Sequence, residues 1–347
     1  MKETSRIRNI CLNDVLEGWQ RKKCRLRAVL FSLTGPQEKF LRHIFLSLLI
    51  IFITIANQSC SQSKDKEIVD RTGRAVVIKH PINRIVSTAP SNTEIIVDLG
   101  RADLLVAVDR HSANVDGVPA GLPLLDFFYP DAEVIVNLKP DIIIASGHNA
   151  TGSGEDPFRL LREMGIPVVY ISMSKSIEDI YMDIAFIAQL LQAQEEGEAL
   201  VDFIKNQVLQ IQNMEIKNKR GHPRTVYFEI SAAPLMMTFG KDSFINDMIS
   251  VIGALNIFEN ENWLVTPGAE AVIYRNPDVI LTSVDYIDDP VGEIKKRPGF
   301  NHINAVINDR VYQIDNDSSS RTSARIVLAL RQMSQAVYPE LWGTLHE

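Results

Sequence analysis

The chain has 347 residues, of which 46% are hydrophobic and 23% charged, and its formal net charge at pH 7 is −7. Residues 61–347 carry 26 Lys and Arg against 39 Asp and Glu, and this acidic balance excludes nucleic acid as an expected partner, because polyanion binding depends on basic surfaces. The length allows two core-forming lobes of ordinary size.

The first 60 residues have the composition of an export leader. They hold ten Lys and Arg against four Asp and Glu, and they end in an apolar run of 13 residues at 44–56. A membrane-spanning helix needs roughly 20 apolar residues, so this run, with basic residues before it and Ser59 after it, predicts a signal peptide. The unusual length ahead of the run indicates either an extended leader or a true start codon further downstream.

Cys60 follows the apolar run and precedes a polar stretch, which resembles the cleavage site of bacterial lipoproteins and implies a lipid on Cys60. Asn57 stands where that pattern has an apolar residue, so plain secretion and an uncleaved anchor remain alternatives. Cys11 and Cys24 are the remaining cysteines and lie in the leader. The exported part is therefore expected to contain no disulfide and no cysteine-based metal site.

Short apolar, β-branched runs recur along the rest of the chain and alternate with helical patterns. They lie at 84–88, 104–108, 141–145, 168–172, 225–230, 279–282 and 311–314. Strands that alternate with helices predict parallel α/β sheets. Ser176 is placed to cap a helical stretch with apolar residues at helical spacing, and a second helical pattern starts at Glu195. One long helix is therefore expected to join two lobes.

An internal repeat supports two similar lobes. The segment EVIVNLKPDIIIAS at 133–146 matches EAVIYRNPDVILTS at 270–283, and EIIVDLG at 94–100 is similar to DMISVIG at 247–253. The predicted domains are the leader at 1–60, an N-terminal α/β lobe at 61–175, a helical segment with the interlobe linker at 176–221, and a C-terminal α/β lobe at 222–347. Two Rossmann-like lobes with parallel sheets, joined by one long helix, enclose a cleft, and ligands of such sheets bind beyond the carboxyl ends of the strands.

Four blocks in chain order carry a family resemblance: RIVSTAPSNTE at 84–94, NLKPDIII at 137–144, GKDSFINDMI at 240–249 and GALNIF at 253–258. Together they resemble the ABC-transporter substrate-binding proteins for iron-siderophores, heme and cobalamin, the class III periplasmic binding proteins, over residues 68–341. The resemblance implies an exported, monomeric binding protein with no resident cofactor, facing the periplasm or cell exterior. Its partners would be a metal chelate, an ABC permease with its ATPase subunit and, through the lipid, the membrane.

The resemblance also implies one acidic residue in each lobe that pairs with arginines of the permease. Glu94 fits the first position, and the internal repeat indicates Asp247 for the second, although some relatives carry the acid where Ser250 stands. The alternative reading is that both acids are favoured at helix N-termini by the helix dipole.

Candidate ligand-binding residues lie in loops after the predicted strands or in loops rich in aromatic residues. Guanidinium groups can pair with carboxylate, phosphate or catecholate oxygens, and aromatic rings can stack on corrin, porphyrin or catechol faces. The candidates are Ser91, Asn92, Arg110, Phe128, Tyr129, His148, Asn149, Trp263, Tyr286, Arg321 and Arg325. For each the alternative is a packing or solvated surface residue.

Three other functions are alternatives to chelate transport. A free metal ion or small oxyanion would give His111 and His148 a role as ligands. A ligand sensor would bind the same molecule and signal to another partner. An α/β hydrolase would need a paired nucleophile and base, but neither a Rossmann fingerprint nor a Gly-x-Ser-x-Gly or His-Glu-x-x-His motif occurs in the sequence, so no enzyme activity is expected.

Overall fold

The computed structural model describes residues 65–151, 156–218, 222–343 and 345. The predicted signal peptide and the predicted lipidation site, Cys60, lie outside these residues. All seven predicted strands form. Within the described part of the chain, no helix combines the length and the apolar character needed to cross a membrane.

The N-terminal lobe contains a hairpin and one larger sheet. The hairpin pairs β1 (Asp65–Val69) with β2 (Ala75–Lys79) in antiparallel fashion. The strands of the sheet are β3 (Ile85–Ser87), β4 (Leu105–Asp109), β5 (Leu124–Leu125), β6 (Ile142–Ser146) and β7 (Val168–Ile171). All pairs in it are parallel, in the order β5-β4-β3-β6-β7. The chain therefore winds outward from β3 in both directions, as in a doubly wound fold.

Helices of the N-terminal lobe follow its strands. They are α1 (Pro90–Asp98), α2 (Ala132–Leu138), α3 (Gly147–Thr151) and α4 (Arg159–Glu163), with 3₁₀ turns at Ala102–Leu104 and Arg110–Ser112. Pro90 at the first turn of α1 fits its fixed φ, and the Asp131 carboxylate caps α2 by accepting hydrogen bonds from the backbone of Glu133 and Val134.

Two helices, not a single one, make up the segment between the lobes: α5 (Ile177–Leu190) and the 25-residue α6 (Gln194–Asn218). The predicted cap is present, because the Ser176 hydroxyl accepts from Asp179 N while the Asp179 carboxylate accepts from the backbone of Ser176. Gln192 adopts a left-handed conformation, φ 53°, which breaks the helix between the two pieces. The long connecting helix of the expected fold is thus α6.

The C-terminal lobe repeats the topology of the first with one strand fewer in its parallel sheet. Its parallel sheet has the order β10-β8-β12-β13, and an antiparallel pair β9/β11 lies beside the cleft. The strands are β8 (Thr225–Glu229), β9 (Thr238–Phe239), β10 (Leu255–Asn256), β11 (Leu264–Val265), β12 (Val279–Thr282) and β13 (Val311–Gln313). The helices are α7 (Phe244–Val251), α8 (Ala269–Arg275), α9 (Pro290–Lys296), α10 (Asn304–Ile307), α11 (Asn316–Ser320), α12 (Ile326–Val337) and α13 (Pro339–Trp342), with a 3₁₀ turn at Phe300–His302.

The sequence repeat is also a structural repeat. Helices α2 and α8 are each followed by a residue in the left-handed region, Lys139 at φ 47° and Asn276 at φ 43°, and then by proline and a buried strand. In the second pair, Gly100 and Gly253 end their helices at φ 70° and 74°, where a side chain would be strained. The same backbone conformations at equivalent positions of the repeat indicate that the two lobes are copies of one unit.

Apolar side chains cover both faces of each sheet. The largest cluster is continuous from Ile85 and Ile142 through Ile184 of α5 to Val226 and Leu281 in the second sheet. Smaller clusters around Tyr170 and around Phe258 cover the opposite faces. Burial on both faces is the usual condition of parallel sheets, and here it leaves their carboxyl edges as the region where polar side chains collect.

Candidate functional site: the interlobe cleft

The cleft lies where strand order reverses in both sheets, between β3 and β6 in one lobe and between β8 and β12 in the other. The loops after these strands diverge there, which opens a crevice beyond the carboxyl ends. The cavity has a volume of about 920 Å³ and takes its walls from both lobes. That is near the upper end of the ~300–1,000 Å³ typical of small-molecule sites.

Ser91 and Asn92 stand at the start of α1, directly beyond β3, and both line the cleft. Asn92 is 1% exposed, and its side-chain amide nitrogen has no hydrogen-bond partner among the described residues. A buried amide donor without a partner costs about 1–3 kcal/mol. Its position at the cleft wall makes it a candidate donor to a ligand.

Arg110 and His111 follow β4 and also line the cleft. The buried Asp109 carboxylate holds this turn by accepting from His111 N at 2.8 Å and from the Ser112 hydroxyl. Burial raises the pKa of Asp109 above its ordinary value, and these hydrogen bonds oppose the rise. Arg110 is exposed and, within the described part of the chain, takes part in no ion pair.

An aromatic loop lies at the N-lobe rim. The Asp126 carboxylate accepts from the backbone N–H groups of Phe128 and Tyr129 at 2.9 and 2.8 Å, and these bonds lower the pKa of Asp126. Phe127 and Phe128 line the cleft in an edge-to-face pair with centroids 4.9 Å apart. Tyr129 is 85% exposed and lies outside the lining, so the predicted role of Tyr129 is not supported in this lobe arrangement.

His148 lines the cleft beyond β6, with its ring 6.2 Å from that of Phe127. Desolvation lowers the pKa of His148 below its usual range, so its imidazole is neutral at pH 7. The preceding residue is a glycine, Gly147, and a Cβ at this position would lie 2.8 Å from the carbonyl oxygen of Ile171. Asn149 is turned away from the cleft and donates to Phe127 O at 2.9 Å, which makes it a support of the aromatic loop and not part of the wall.

Trp263 and Phe239 form the aromatic wall of the C-terminal lobe, edge to face with centroids 5.3 Å apart. Trp263 has φ 46°, a rare conformation for a bulky side chain that places strain beside the cleft. Gly240 allows the neighbouring backbone to pack closely, since a Cβ on Gly240 would lie 2.2 Å from the carbonyl oxygen of Glu261. Two of the predicted aromatic residues, Phe128 and Trp263, therefore line the same cleft from different lobes.

Arg321 lines the cleft but is not a free cation. Its guanidinium is 2.7 Å from Glu94 and 2.6 Å from Asp317, and the side chain is 6% exposed. Arg325 lies outside the cleft, in a second small pocket with Glu94 and Asp98; burial and the Glu94 charge raise the pKa of Asp98 to about 6, and Arg325 opposes this rise. Of the two predicted ligand arginines, Arg321 therefore lines the cleft as a paired cation and Arg325 does not line it.

Tyr286, another predicted ligand residue, does not line the cleft. Its hydroxyl accepts from the backbone N–H of Ala232 at 2.9 Å, and the ring is 66% exposed. The tyrosine thus ties two C-lobe loops together beside the cleft entrance.

The two predicted docking acids have internal roles. Glu94 is 3% exposed and engaged by Arg321 of the other lobe, so its carboxylate is not available to a permease in this lobe arrangement. The Asp247 carboxylate accepts from the backbone N–H of Ile177 at 3.1 Å and so caps α5, while burial raises the pKa of Asp247. In this lobe arrangement Glu94 is part of an interlobe ion pair and Asp247 is a helix cap, and the docking roles of both acids stay predictions.

Sequence reasoning missed several lining residues. Phe239 and Ser283 line the cleft but were not among the candidate ligand residues. The signal for Ser283 was available, because it follows the predicted strand at 279–282 at the same sheet edge as the other candidates, whereas Phe239 lies in the two-residue strand β9, which was not predicted. A set of three or more His, Cys, Asp or Glu side chains placed to hold a metal ion does not occur among the described residues.

A ligand-sized cleft between two doubly wound lobes, joined by a long helix, defines a two-lobed solute-binding protein. The sequence profile of the periplasmic binding protein family matches residues 85–318, and the chain belongs to this family. The family consists of extracytoplasmic solute-binding proteins that serve ABC transporters.

Three relatives illustrate the relationship. The uncharacterized ABC transporter substrate-binding lipoprotein YvrC of Bacillus subtilis is 30% identical over 291 residues, which cover 82% of this chain and 91% of that protein. A vitamin B12-binding protein of Vibrio cholerae is 29% identical over 260 residues, covering 73% and 88%. The structure of a possible iron-binding (periplasmic solute-binding) protein from Staphylococcus epidermidis superposes with TM-score 0.65 at 32% identity, covering 74% and 99%.

Proposed function

We propose that this protein is the extracytoplasmic substrate-binding component of an ABC importer for a metal chelate, and that the chelate is a corrinoid of the vitamin B12 type. It binds without turnover and passes the ligand to a permease. The names of the Bacillus subtilis and Vibrio cholerae relatives support the transporter role and the ligand class.

The observation that carries the ligand class is the neutral polar lining of the cleft. Hydroxyl and amide side chains from both lobes, including Ser91, Asn92, Asn114, Ser283 and Asn316, alternate with aromatic rings. A corrinoid presents a flat macrocycle rimmed by carboxamides, which need hydrogen-bonding partners and apolar surface but little charge. Such a ligand matches both parts of this lining.

The balance of charge disfavours strongly anionic chelates. Arg110 and Arg321 line the cleft together with Asp285 and Asp317, and Arg321 is neutralised by its carboxylate partners. For a ferric tris-catecholate or the two propionates of heme, the described lining offers one guanidinium without an ion-pair partner, that of Arg110, and also contains the exposed carboxylate of Asp285. Desolvating such anions without matching cations is unfavourable.

The size of the cleft disfavours a bare ion. A volume of about 920 Å³ suits a large organic ligand, whereas a metal ion needs several convergent donors within a few ångströms. His111 and His148 both line the cleft, and they remain the residues to change if an ion is bound.

A thermal-shift and calorimetry panel tests the ligand class. The probes are cyanocobalamin, heme, ferric catecholate, ferric hydroxamate, zinc and molybdate; a ligand at 100 times its Kd stabilises the protein by about 2.7 kcal/mol. We expect a selective shift with cyanocobalamin. A shift only with an iron chelate would replace the corrinoid but retain the importer role, and a shift only with zinc or molybdate would refute the chelate proposal.

For the permease contact we propose the repeated acids Glu133 and Glu270. Both are exposed, occupy the first turn of equivalent helices α2 and α8, and so present one carboxylate on each lobe. The N-termini of these helices point to the cleft side, because each helix runs antiparallel to the strand that it precedes. This pair replaces Glu94, which is buried.

Uptake and binding separate a docking role from a ligand role. Glu133→Gln together with Glu270→Gln should abolish transport of labelled cyanocobalamin and leave its Kd unchanged, while Glu163→Gln, an equally exposed helical acid, should transport normally. Normal transport by the double variant would rule out this docking pair.

Membrane attachment is a separate proposal: Cys60→Ala should release the protein from the membrane fraction and abolish incorporation of labelled palmitate.

A further inference from the structure

The two lobes are joined at the cleft by a buried ion pair as well as by the linker helices. Arg321 Nη1 of the C-terminal lobe lies 2.7 Å from Glu94 Oε1 on α1 of the N-terminal lobe, and the side chains are 6% and 3% exposed. The other carboxylate oxygen of Glu94 accepts from the Ser323 hydroxyl at 2.5 Å. Both oxygens of this N-lobe acid are therefore bound by C-lobe groups.

A second set of hydrogen bonds crosses the cleft beside this pair. Arg321 Nη2 donates to Asn114 Oδ1 at 2.9 Å and to His111 O at 3.2 Å. Asn114 Nδ2 in turn donates to Asp317 Oδ2 at 2.8 Å. Asn114, Asp317 and Arg321 all line the cleft, so these contacts form part of its inner surface.

We propose that Glu94, Asn114, Asp317 and Arg321 form an interlobe latch that holds the lobes at the present cleft spacing in the protein without ligand. The physical basis is the desolvation of Arg321. While the lobes are together its charge is buried and needs the Glu94 carboxylate; when they separate, water can solvate both groups. Removal of Glu94 therefore destabilises the present lobe arrangement more than an arrangement in which the lobes are separated.

The latch also explains why Arg321 can line the cleft of a neutral ligand. Glu94 and Asp317 fix the guanidinium and cancel its charge, so Arg321 would serve as an oriented hydrogen-bond donor. This consequence rests on the proposed ligand class, whereas the latch itself does not.

Pulsed electron spin resonance on ligand-free protein tests the latch. Spin labels are attached at Asn137→Cys and Ile307→Cys, exposed positions on the two lobes, in the full chain whose three native cysteines are replaced by serine. We expect one narrow distance distribution for the parent protein. Glu94→Gln should broaden it and move its mean by more than the parent width, and Asn114→Ala should change it in the same direction by less.

Glu229→Gln is the matched control. Glu229 is also a buried glutamate held by an arginine, Arg297, but the pair lies within the C-terminal lobe. We expect this variant to melt earlier and retain the parent distance distribution. A distribution unchanged in both Glu94→Gln and Asn114→Ala, or one broadened equally by Glu229→Gln, would overturn the latch. No ligand is present, so failure of the cyanocobalamin panel would refute the proposed function without affecting this result.

Discussion

The unpartnered amide of Asn92 leads to a prediction in which stability and affinity change in opposite directions. Asn92 is 1% exposed at the cleft wall, and its Nδ2 has no hydrogen-bond partner among the described residues. Asn92→Leu keeps the branched shape and removes the donor. Because an unsatisfied buried donor costs about 1–3 kcal/mol, the free energy of unfolding of the ligand-free variant should rise by ~1 kcal/mol after allowance for imperfect packing.

Ligand affinity should fall in the same variant. A net hydrogen bond contributes about 0.5–1.5 kcal/mol, so loss of the donor to a ligand carboxamide should raise Kd for cyanocobalamin roughly two- to twelve-fold. Urea unfolding measures the first effect and isothermal titration calorimetry the second. Thr88→Val is the control, because the Thr88 hydroxyl is likewise buried and unpartnered but lies outside the cleft lining. It should leave affinity unchanged.

The reasoning would be refuted if Asn92→Leu lowered the stability of the ligand-free protein and left Kd unchanged. That outcome would make Asn92 a structural residue of the α1 N-terminus. A fall in affinity of equal size in Thr88→Val would also refute it, because the effect would then stem from general disturbance of the β3–α1 loop.

Two further predictions concern buried charges. Arg297→Met should lower the free energy of unfolding by about 3–5 kcal/mol, because it leaves Glu229 buried without its partner at 2.6 Å; urea unfolding should show recovery on adding Glu229→Gln, and a loss below about 1 kcal/mol would contradict the assignment. Burial raises the pKa of Asp183 to about 6 despite Arg71 at 2.6 Å. Because the pKa in the unfolded chain is ~3.9, protonation of Asp183 contributes up to ~3 kcal/mol to the free energy of unfolding below about pH 4, and this contribution is lost as the pH rises through 6. Asp183→Asn should therefore flatten the stability profile between pH 4 and 7, and parallel profiles for variant and parent would contradict this.

Strand positions and the repeat could be predicted from the sequence because they depend on local patterns. Buried parallel strands need apolar β-branched runs, and the Pro-Asp turns after Lys139 and Asn276 follow from backbone geometry that the repeat preserves. The short strands β5, β9, β10 and β11 have only two residues each and no periodicity of their own. Their pairing is fixed by tertiary contacts, which no local pattern records.

The sequence predicted where the cleft lies but not which loop residues turn their side chains into it. Position after a strand predicted the lining role of Ser91, Arg110, His148 and Arg321, because all carboxyl ends of a parallel sheet meet at one edge. The same rule cannot tell which way a side chain turns within a loop. Asn149 and Tyr286 lie in the expected loops yet bond to the backbone of Phe127 and Ala232.

The burial of Glu94 could not be predicted from its own segment of the sequence. An acid near a helix N-terminus on the sheet edge fits a surface docking residue, and within its own lobe nothing contradicts that role. Its burial depends on Arg321 and Ser323, which lie 227 and 229 residues further along the chain. The internal repeat offers the alternative pair that we propose, since Glu133 and Glu270 occupy equivalent turns on both lobes, whereas Glu94 and Asp247 have different partners. A function that requires one acid on each lobe is more consistent with the pair that occupies equivalent helix positions in the two lobes.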